Sequence, residues 1–408
     1  MLLTFEQAKC KILQAALLTK PLESETVQLF DALERITAEP VISPINVPGF
    51  DNSAMDGYVV RLSDIKQSKL LPLSKTIFAG DDITNLYWPE HTCIRIMTGA
   101  PVPHGADAVI MQEDTEKSDA GIAFLADVKL GNNIRRAGED VKKGTVTVPK
   151  GERLSIPILS TLATLGISKL AVFKKLKVAI FSTGNELTPI GEPLSSFASI
   201  YDSNRFTLNL LLTKLNCEII DLGIIADDPT KIKQALETAS QQADLVITSG
   251  GVSVGDADFT KTALEQLGNI NFWKIAMKPG KPFAFGQINN ALFCGLPGNP
   301  VSTLVTFYQL VQPLILALSG IENLSSDSTL RVKTATNLKK NIGRTDFQRG
   351  ILQINAQGEL EVITTGQQGS HITQSFNQAN CFIILEQNRG NVNKGELVSV
   401  ELFNELLK

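Results

Sequence analysis

The strongest constraint on the fold comes from residues 177–318, where short apolar runs alternate with segments of helical spacing. In chain order the predicted elements are a strand Lys177–Ser182, a helix near 203–215, a strand Cys217–Leu222, a helix near 229–241, a strand Leu245–Thr248, a helix from 258, strands near 270–276, 283–286 and 291–294, and a helix from 300 to about 318. Strands that alternate with helices are joined by right-handed crossovers. We therefore expect an α/β domain with a mainly parallel sheet covered by helices.

The segments on either side follow other patterns. Residues 4–19 and roughly 25–36 have the apolar spacing of helices, with Thr4 and Gln7 as a predicted capping box. From Val41 to Val146, short apolar runs are broken by Pro, Gly, Asn and Asp, which predicts mostly β structure. A helix is predicted over 155–166 with Ser155 as its cap. After a Gly-, Asn- and Ser-rich linker at 319–328, five predicted strands indicate a barrel-like β domain: Leu330–Thr334, Gln348–Ile354, Leu360–Thr364, Cys381–Leu385 and Leu397–Leu402.

Composition limits the partners and the compartment. The 408 residues include 38 basic and 42 acidic side chains, and the net charge of −4 gives no general attraction to nucleic acid. The five cysteines lie far apart without a CxxC pair, so a disulfide framework or a structural zinc site is not expected, and a reducing cytoplasm fits. The N-terminus lacks the basic and apolar regions of a signal peptide, and no later run is expected to reach membrane-spanning length. We therefore expect a cytoplasmic protein that binds neither nucleic acid nor membrane.

Two junctions between a strand and a helix have the features of anion sites. The first is SGGVSVG at residues 249–255, whose glycines let the backbone approach a ligand. The second is GLPGNPVST at residues 295–303, where Asn299 can cap a helix that has Pro300 at its N1 position. Unpaired N–H groups and the positive end of a helix dipole attract anions at such junctions.

Acidic side chains follow three of the predicted strands. Glu186 follows the first strand, Asp227 or Asp228 the second, and Asp256 or Asp258 the third. Because the carboxyl ends of parallel strands meet in one crevice, these carboxylates can hold Mg²⁺ beside a bound phosphate. Asp228 and Asp258 are also placed to cap helices, which leaves a purely structural role open for them.

Three cations surround a turn in the same region. Lys274, Lys278 and Lys281 flank Pro279-Gly280. A solvated surface explains such a cluster as well as an anion site does. Their position between two strands of one sheet favours the anion site.

Two common enzyme classes are not expected. Residues 251–255 (GVSVG) match the GxSxG form of a hydrolase nucleophile elbow, but the helix does not begin directly after Ser253. His91, His104 and His371 all lie outside the α/β segment. The sequence contains no GxxxxGK[ST] motif, so nothing indicates a P-loop nucleotidase.

Eight motifs, in order along almost the whole chain, together resemble one family. They are DNSAMDGY (51–58), RIMTGAPVP (95–103), GAD (105–107), RAGED (136–140), STGNEL (182–187), TSGGVSVGDAD (248–258), KIAMKPGK (274–281) and GLPGNPVS (295–302). As a set they resemble the molybdopterin molybdenumtransferase (MoeA) family, to which the C-terminal region of gephyrin also belongs.

The resemblance implies a multidomain architecture. The domains expected from it are an N-terminal helix in residues 1–26 that packs on the α/β domain, a small discontinuous domain of residues 27–44 and 147–174, a projecting β-rich domain of residues 45–146, a molybdopterin-binding α/β domain of residues 175–327, and a C-terminal β-barrel of residues 328–408. The implied reaction inserts molybdenum from molybdate into adenylylated molybdopterin and releases AMP with the help of Mg²⁺.

The resemblance also implies the site residues, position by position. It places functional groups at Asp56, Thr98, Asp140, Glu186, Asp227, Asp258, Lys274 and Lys278, and cofactor-binding groups at Gly250, Gly251, Ser253, Gly255, Pro297, Gly298, Pro300, Ser302, Arg349 and Ser370. Within this set, the expected ligands of Mg²⁺ are Glu186, Asp227 and Asp258.

The expected partners follow from the same resemblance. It implies a homodimer in which Arg349 and Ser370 approach the crevice of the partner subunit, and it implies contact with a molybdopterin adenylyltransferase and with maturation proteins of molybdoenzymes. Two alternatives stay open: an adenylyltransferase, because the α/β domain is shared with that class, and a gephyrin-like scaffold that binds a partner peptide.

Overall fold

The structure, a computed structural model, describes residues 2–250, 264, 267–323 and 329–408. The chain begins with β1 (Leu2–Leu3) and α1 (Phe5–Leu17). Thr4 and Gln7 form the predicted capping box, in which each side chain bonds the other residue's backbone N–H. The helix predicted at residues 4–19 is therefore confirmed.

The prediction of a second helix over residues 25–36 is wrong. Ser24–Gln28 forms β2, and a 3₁₀ turn covers Leu29–Asp31. β2 pairs antiparallel with the strand Lys169–Phe173 along its whole length. This pairing satisfies the backbone groups of β2 and suits β-branched side chains such as Thr26, so a long-range contact outweighs the local helical spacing.

Residues 41–148 are mostly β structure, as predicted. The elements are β3 (Val41–Ile42), β4 (Asn52–Ser53), β5 (Gly57–Val60), α2 (Leu62–Gln67), β6 (Leu70–Leu71), β7 (Leu73–Ile77), β8 (Cys93–Ile96), β9 (Ala108–Met111), β10 (Thr115–Ser118), β11 (Gly121–Phe124), β12 (Ile134–Arg135) and β13 (Val146–Val148). The main sheet has the order β7-β8-β5-β9. Successive side chains of a strand point to opposite faces, and Tyr58 and Val59 of β5 accordingly belong to two different hydrophobic clusters.

A small core joins two distant segments of the chain. α3 (Ile156–Thr164) and β14 (Lys169–Phe173) follow the β region, and Ser155 occupies the N-cap of α3 without a side-chain capping bond. β13 pairs with β3, and β14 pairs with β2. Ala32 thereby packs in one cluster with Leu154 and Leu162. The exact bounds of the five domains stay a prediction.

The α/β region contains β15 (Lys177–Thr183), β16 (Leu187–Thr188), β17 (Ile200–Tyr201), α4 (Ser203–Lys214), β18 (Glu218–Ile225), α5 (Pro229–Gln242), β19 (Leu245–Ser249), β20 (Gly268–Ile275), β21 (Met277–Lys278), β22 (Pro282–Ile288), β23 (Ala291–Leu296) and α6 (Pro300–Leu318). Its seven-stranded sheet has the order β1-β20-β22-β23-β19-β15-β18. Only β22 runs antiparallel to its neighbours, so the mainly parallel sheet is confirmed. The helix predicted from 258 falls largely outside the described residues.

Helices cover both faces of this sheet. Val178 and Ile180 of β15 pack in one cluster with side chains of α1, α4 and α6. Ala179 and Phe181 point to the other face, where they pack against α5. This alternation explains why β15 is buried on both faces and has an almost unbroken apolar sequence.

In the described part of the chain, α6 alone is long and apolar enough to cross a membrane by length and composition. The prediction that no run reaches membrane-spanning length is therefore wrong. However, 78% of its most apolar stretch is buried inside the protein. The helix contacts α1, α4 and β23, which is the behaviour of a core helix.

The C-terminal region is a closed β-barrel, as predicted. Its elements are β24 (Thr329–Thr334), β25 (Thr345–Ile354), β26 (Leu360–Thr364), α7 (Ser375–Gln378), β27 (Cys381–Leu385) and β28 (Leu397–Leu402). The order β25-β26-β24-β28-β27 closes through a pairing of β25 with β27. β21 of the α/β region adds to β25 as a short parallel strand and so joins the backbones of the two regions.

Candidate active site

The carboxyl ends of four parallel strands meet at one edge of the seven-stranded sheet, at Thr183, Ile225, Ser249 and Leu296. A cavity of about 80 Å³ lies at this edge. It is lined by four of the predicted site residues, Glu186, Gly250, Gly298 and Pro300. The fold therefore brings these residues together in one crevice, at the place where open α/β sheets bind their ligands.

Gly250 is required by the backbone of the crevice. Its φ of +89° lies in the left-handed region, and a Cβ at this position would come within 2.9 Å of the carbonyl oxygen of Thr183. Its N–H donates to the carbonyl oxygen of Leu296 at 3.2 Å. The loop after β19 is thus held against the ends of β15 and β23 without a side chain in the way. Gly251, Ser253 and Gly255 lie outside the described residues.

The first turn of α6 is held by contacts that the sequence analysis missed. Asn299 occupies the N-cap and Pro300 the N1 position, as predicted, although the side chain of Asn299 makes no capping bond. Instead, the hydroxyl of Thr303 donates to the carbonyl oxygen of Pro297 at 2.6 Å. The amide of Asn204, at the start of α4, donates to the carbonyl oxygen of Gly298 at 2.7 Å. Ser302 is buried in the same turn.

Two predicted carboxylates lie on neighbouring loops at the mouth of the crevice. The N–H of Asn185 donates to Oδ2 of Asp227, and the N–H of Asp227 donates to Oδ1 of Asn185, both at 3.1 Å. This reciprocal pair joins the loop that carries Glu186 to the loop after β18. Glu186 and Asp227 are both exposed.

The structure separates the two neighbouring aspartates that the sequence left as alternatives. Oδ1 of Asp228 accepts the N–H groups of Thr230 and Lys231 at 2.8 and 3.1 Å, so Asp228 caps α5. Asp227 has no such capping role. It is therefore the member of the pair that can serve a ligand.

Exposed carboxylates on adjoining loops suit a hard cation such as Mg²⁺. Within the described residues, no group of three His, Cys, Asp or Glu side chains forms a metal-binding arrangement. Asp258, the third predicted ligand, lies outside those residues. Glu186 and Asp227 thus fit part of a Mg²⁺ site, and the complete ligand set stays a prediction.

Lys274 lies near the end of β20, and Lys278 lies in β21, on the connection between β20 and β22. Lys274 is exposed, and Lys278 is half-buried. This connection packs closely on α6, since a Cβ on Gly280 would come within 2.3 Å of Oγ1 of Thr306. Nζ of Lys278 lies 3.2 Å from Oδ2 of Asp346 in the barrel. Asp346 carries no predicted role, although it belongs to the motif GRTDFQRG at residues 343–350.

Arg349 and Ser370 both make contacts within their own chain. The guanidinium of Arg349 is buried in its own chain, where Nε donates to Oγ of Ser375 at 2.9 Å and Nη2 donates to the carbonyl oxygen of Gly369 at 3.2 Å. Burial lowers the pKa of Arg349 to about 10. The N–H of Val301 in α6 donates to the carbonyl oxygen of Ser370 at 3.2 Å.

These contacts lie within one chain, and the approach of Arg349 and Ser370 to the crevice of a partner subunit stays a prediction. The barrel packs on the α/β region of the same chain, which puts Ser370 beside the first turn of its own α6. Arg349 then holds the segment around Gly369 in place.

The remaining predicted residues lie in the β region of residues 41–148. Oδ1 of Asp56 accepts both the N–H and the hydroxyl of Thr98, at 2.7 and 2.8 Å, and the N–H is the main cause of a lowered pKa of Asp56. Asp140 is exposed on another loop of the same region. Among the described residues, no hydrogen bond or ion pair links residues 45–146 to the crevice. One chain therefore brings Asp56 and Thr98 together, and neither of them bonds Glu186 or Asp227 within the described residues.

The sequence analysis also missed Asp202, which is buried at the rim of the cavity. Its carboxylate accepts the hydroxyl of Ser182 at 2.9 Å and Nε of Arg205 at 2.8 Å, and it caps α4. The signal was present in the sequence, since an aspartate directly before a helical run is a common cap.

Family models cover nearly the whole chain. Residues 3–166 match the MoeA N-terminal region (domain I and II), residues 179–317 match a probable molybdopterin binding domain, and residues 331–403 match the MoeA C-terminal region (domain IV).

Curated relatives and solved structures agree with these models. The chain is 54% identical to the molybdopterin molybdenumtransferase of Haemophilus influenzae over 100% of both chains. It is 34% identical to gephyrin of Dictyostelium discoideum over 94% of this chain and 60% of that protein. A crystal structure of the molybdopterin biosynthesis MoeA protein from Pyrococcus horikoshii OT3 matches with a TM-score of 0.84 and 28% identity, over 99% of this chain and 100% of that chain. The chain belongs to the molybdopterin molybdenumtransferase (MoeA) family.

Proposed function

We propose that this protein takes molybdenum from molybdate, inserts it into adenylylated molybdopterin and releases AMP with the help of Mg²⁺. Family membership shows that the chain is a molybdopterin molybdenumtransferase, an enzyme of molybdenum cofactor biosynthesis. The cation, the molybdate and the cleavage step are the finer parts of the proposal.

The observation that carries the proposal is the joined pair of loops at the crevice. The bonds between Asn185 and Asp227 keep two exposed carboxylates next to a cavity that also has the N-terminus of α6 in its wall. An anion placed there gains from the dipole of a 19-residue helix. A cation between that anion and the carboxylates would neutralise charge as the phosphoanhydride breaks.

Each group of the crevice then has a defined task. Glu186 and Asp227, together with Asp258, hold Mg²⁺ against the pyrophosphate. The backbone N–H groups of Gly298 and Asn299, at the start of α6, face the anion, while Lys274 and Lys278 bind oxyanions. Arg349 acts indirectly, because its guanidinium is occupied by Ser375 and Gly369.

We further propose that the working form is a homodimer. Asp56, Thr98 and Asp140 can serve the same reaction only if a second copy brings its β region to the crevice. Exposed apolar side chains on the crevice side of the α/β region favour such a contact: Phe197, Ile200, Tyr201, Phe206 and Leu210. An isologous pair would contain two such shared sites.

The place of the reaction follows from its substrates. We propose a cytoplasmic enzyme that receives its substrate from a molybdopterin adenylyltransferase and passes its product to maturation proteins of molybdoenzymes.

The direct test is AMP release from purified adenylylated molybdopterin. AMP is expected to form with the wild-type protein when both molybdate and Mg²⁺ are present, and to disappear when EDTA is added or molybdate is omitted. AMP release that is independent of both ions would contradict the proposal. Incubation with ATP and metal-free molybdopterin tests the alternative of an adenylyltransferase, since only that enzyme would make the adenylylated pterin.

A further inference from the structure

An ion pair joins Asp346 of the barrel to Lys278 of β21. Nζ of Lys278 and Oδ2 of Asp346 are 3.2 Å apart. The two residues face each other in the short parallel pairing of β21 with β25. The N–H of Thr345 also donates to the carbonyl oxygen of Ala276 at 2.8 Å. The backbones on both sides of the ion pair are therefore fixed.

The two members of the pair differ in exposure. The side chain of Asp346 is 5% exposed, whereas that of Lys278 is 41% exposed. Nε2 of Gln348 donates to Oδ2 of Asp346 at 3.2 Å and to the carbonyl oxygen of Lys339 at 2.9 Å. The carboxylate is thus the fixed, buried member, and the ammonium is the member that reaches solvent.

Other cations depend on the same carboxylate. Lys340 is buried, and its Nζ donates to the carbonyl oxygens of Asn341 and Arg389 at 3.0 and 3.1 Å. Burial is the main cause of a lowered pKa of Lys340, and the positive charges of Lys278 and Arg344 lower it further. The negative charges of Asp346 and Glu386 act in the other direction and raise it. Asp346 also opposes the lowering of the pKa of Arg349. The negative charge of Asp346 therefore acts on more than one cation of the barrel.

We propose that Asp346 is a positioning residue for Lys278, a barrel carboxylate that holds the ammonium in place for the binding of an oxyanion. The proposal rests on the oxyanion role given to Lys278 above. An ammonium has three N–H donors, so a bond to Asp346 leaves two for the ligand. The anchor also removes much of the rotamer freedom that a lysine would otherwise lose on binding.

The alternative is that Asp346 only attaches the barrel to the α/β region. A double-mutant cycle separates the two roles, because residues that act through one another are not additive. The proteins are the wild type, Asp346→Asn, Lys278→Ala and the double variant, each as the full chain. The first measurement is the Kd for molybdate by titration calorimetry, and the second is the KM for molybdate in AMP release.

We expect Asp346→Asn to raise both constants about tenfold, since a charge-assisted contact is lost, and to change kcat less than about twofold. In the Lys278→Ala background, Asp346→Asn should have no further effect. Glu396→Gln is the matched control, because it removes an exposed barrel ion pair with Arg389. It should leave both constants unchanged in either background.

Two results would overturn the positioning role. Equal effects of Asp346→Asn with and without Lys278 would assign Asp346 to barrel attachment. Tighter molybdate binding by Asp346→Asn would show that the carboxylate competes with the oxyanion. If Asp346→Asn does not fold, Gln348→Met tests the same point, since it removes a neighbour of the carboxylate; it should raise Kd about threefold, and only when Lys278 is present.

The readouts also separate this proposal from the proposed function. Coupling in molybdate binding without AMP release would leave the positioning role standing and contradict the function. Normal AMP release without coupling would support the proposed function and contradict the positioning role of Asp346. A wild-type protein that binds no molybdate would contradict the oxyanion role of Lys278 and this proposal with it.

Discussion

The crevice of the α/β region and the β region of residues 41–148 both carry predicted functional carboxylates, but they hold them in different ways. In the crevice, Asp227 accepts one backbone N–H from Asn185, and both Asp227 and Glu186 are exposed. In the β region, Asp56 accepts two bonds from Thr98, and Asp51 accepts bonds from Ala137 and Arg136.

This difference separates two uses of a carboxylate. An aspartate that accepts two bonds from fixed donors holds the loop to which it is bonded. An exposed carboxylate with unused lone pairs can bind a cation instead. We infer that the crevice supplies the cation ligands, whereas the carboxylates of the β region hold its loops in place. In the proposed homodimer, a partner subunit would bring those loops to the crevice.

The largest expected effect is at Asp227. Asp227→Asn keeps an oxygen for the N–H of Asn185 but removes the negative charge, so Mg²⁺-dependent AMP release should fall by about a hundredfold or more. Asp228→Asn is the matched control. It should stay close to wild type, because Asn and Asp are about equally good N-caps. The measurement is the rate of AMP release over a series of Mg²⁺ concentrations. Equal rates for the two variants would show that Asp227 is not a ligand of the cation.

A mixture of two inactive variants tests whether the two regions meet across a dimer. Asp227→Asn damages the crevice, and Asp56→Ala damages the loop held by Thr98. In a heterodimer, one shared site collects both defects and the other collects neither. Random mixing makes about half of the dimers hetero, so about one quarter of all sites become intact.

The measurement is AMP release after subunit exchange, with heterodimers isolated by two different affinity tags. Recovery to about a quarter of wild-type activity in the mixture is the expected result. Isolated heterodimers that are as inactive as their parents would show that each site lies within one subunit.

A smaller effect is expected at Lys274 and Lys278. Replacing Lys274 and Lys278 together by Gln should weaken molybdate binding about tenfold, and added salt should weaken binding to the wild type more than to the variant. The control replaces Lys66 and Lys69, exposed lysines of the β region, by Gln. If both double variants bind molybdate with wild-type affinity, Lys274 and Lys278 belong to a solvated surface.

Local patterns predicted the fold well where one segment determines its own structure. The alternation of apolar runs gave β15, β18 and β19, and the capping box gave the start of α1. The failures came from contacts between distant residues. β2 was predicted as a helix because its pairing with β14, about 140 residues away in sequence, leaves no local signal.

The site shows the same limit. The position of Glu186 and Gly250 at one edge followed from the rule for parallel strands. The ion pair of Lys278 with Asp346 could not be predicted from local patterns, because it depends on the docking of the barrel. The choice between Asp227 and Asp228 needed the observed cap at Thr230.

The smallest expected effect concerns acid stability of the β region. The pKa of Asp56 is held below its usual value first by the N–H of Thr98, then by its hydroxyl, and least by the charge of Arg95. Burial acts in the other direction and raises it. The pKa of Asp51 is lowered in the same way, first by the N–H of Ala137. A carboxyl whose pKa is lower in the folded state contributes stability above its unfolded pKa of about 3.9, and this contribution is lost as the pH falls through the folded value.

Trp88 reports on this region, since it is buried in the same hydrophobic cluster as Val59, and a Trp273→Phe background removes the second tryptophan. Thermal unfolding followed by Trp88 fluorescence should therefore show a midpoint that drops between about pH 5 and pH 3. Asp56→Asn should make this drop shallower, and Thr98→Ala, which keeps the backbone donor but loses the hydroxyl, should give an intermediate slope. If all three proteins lose stability in parallel, the bonds of Asp56 do not stabilise its loop, and the contrast between an occupied and an available carboxylate does not hold for this region.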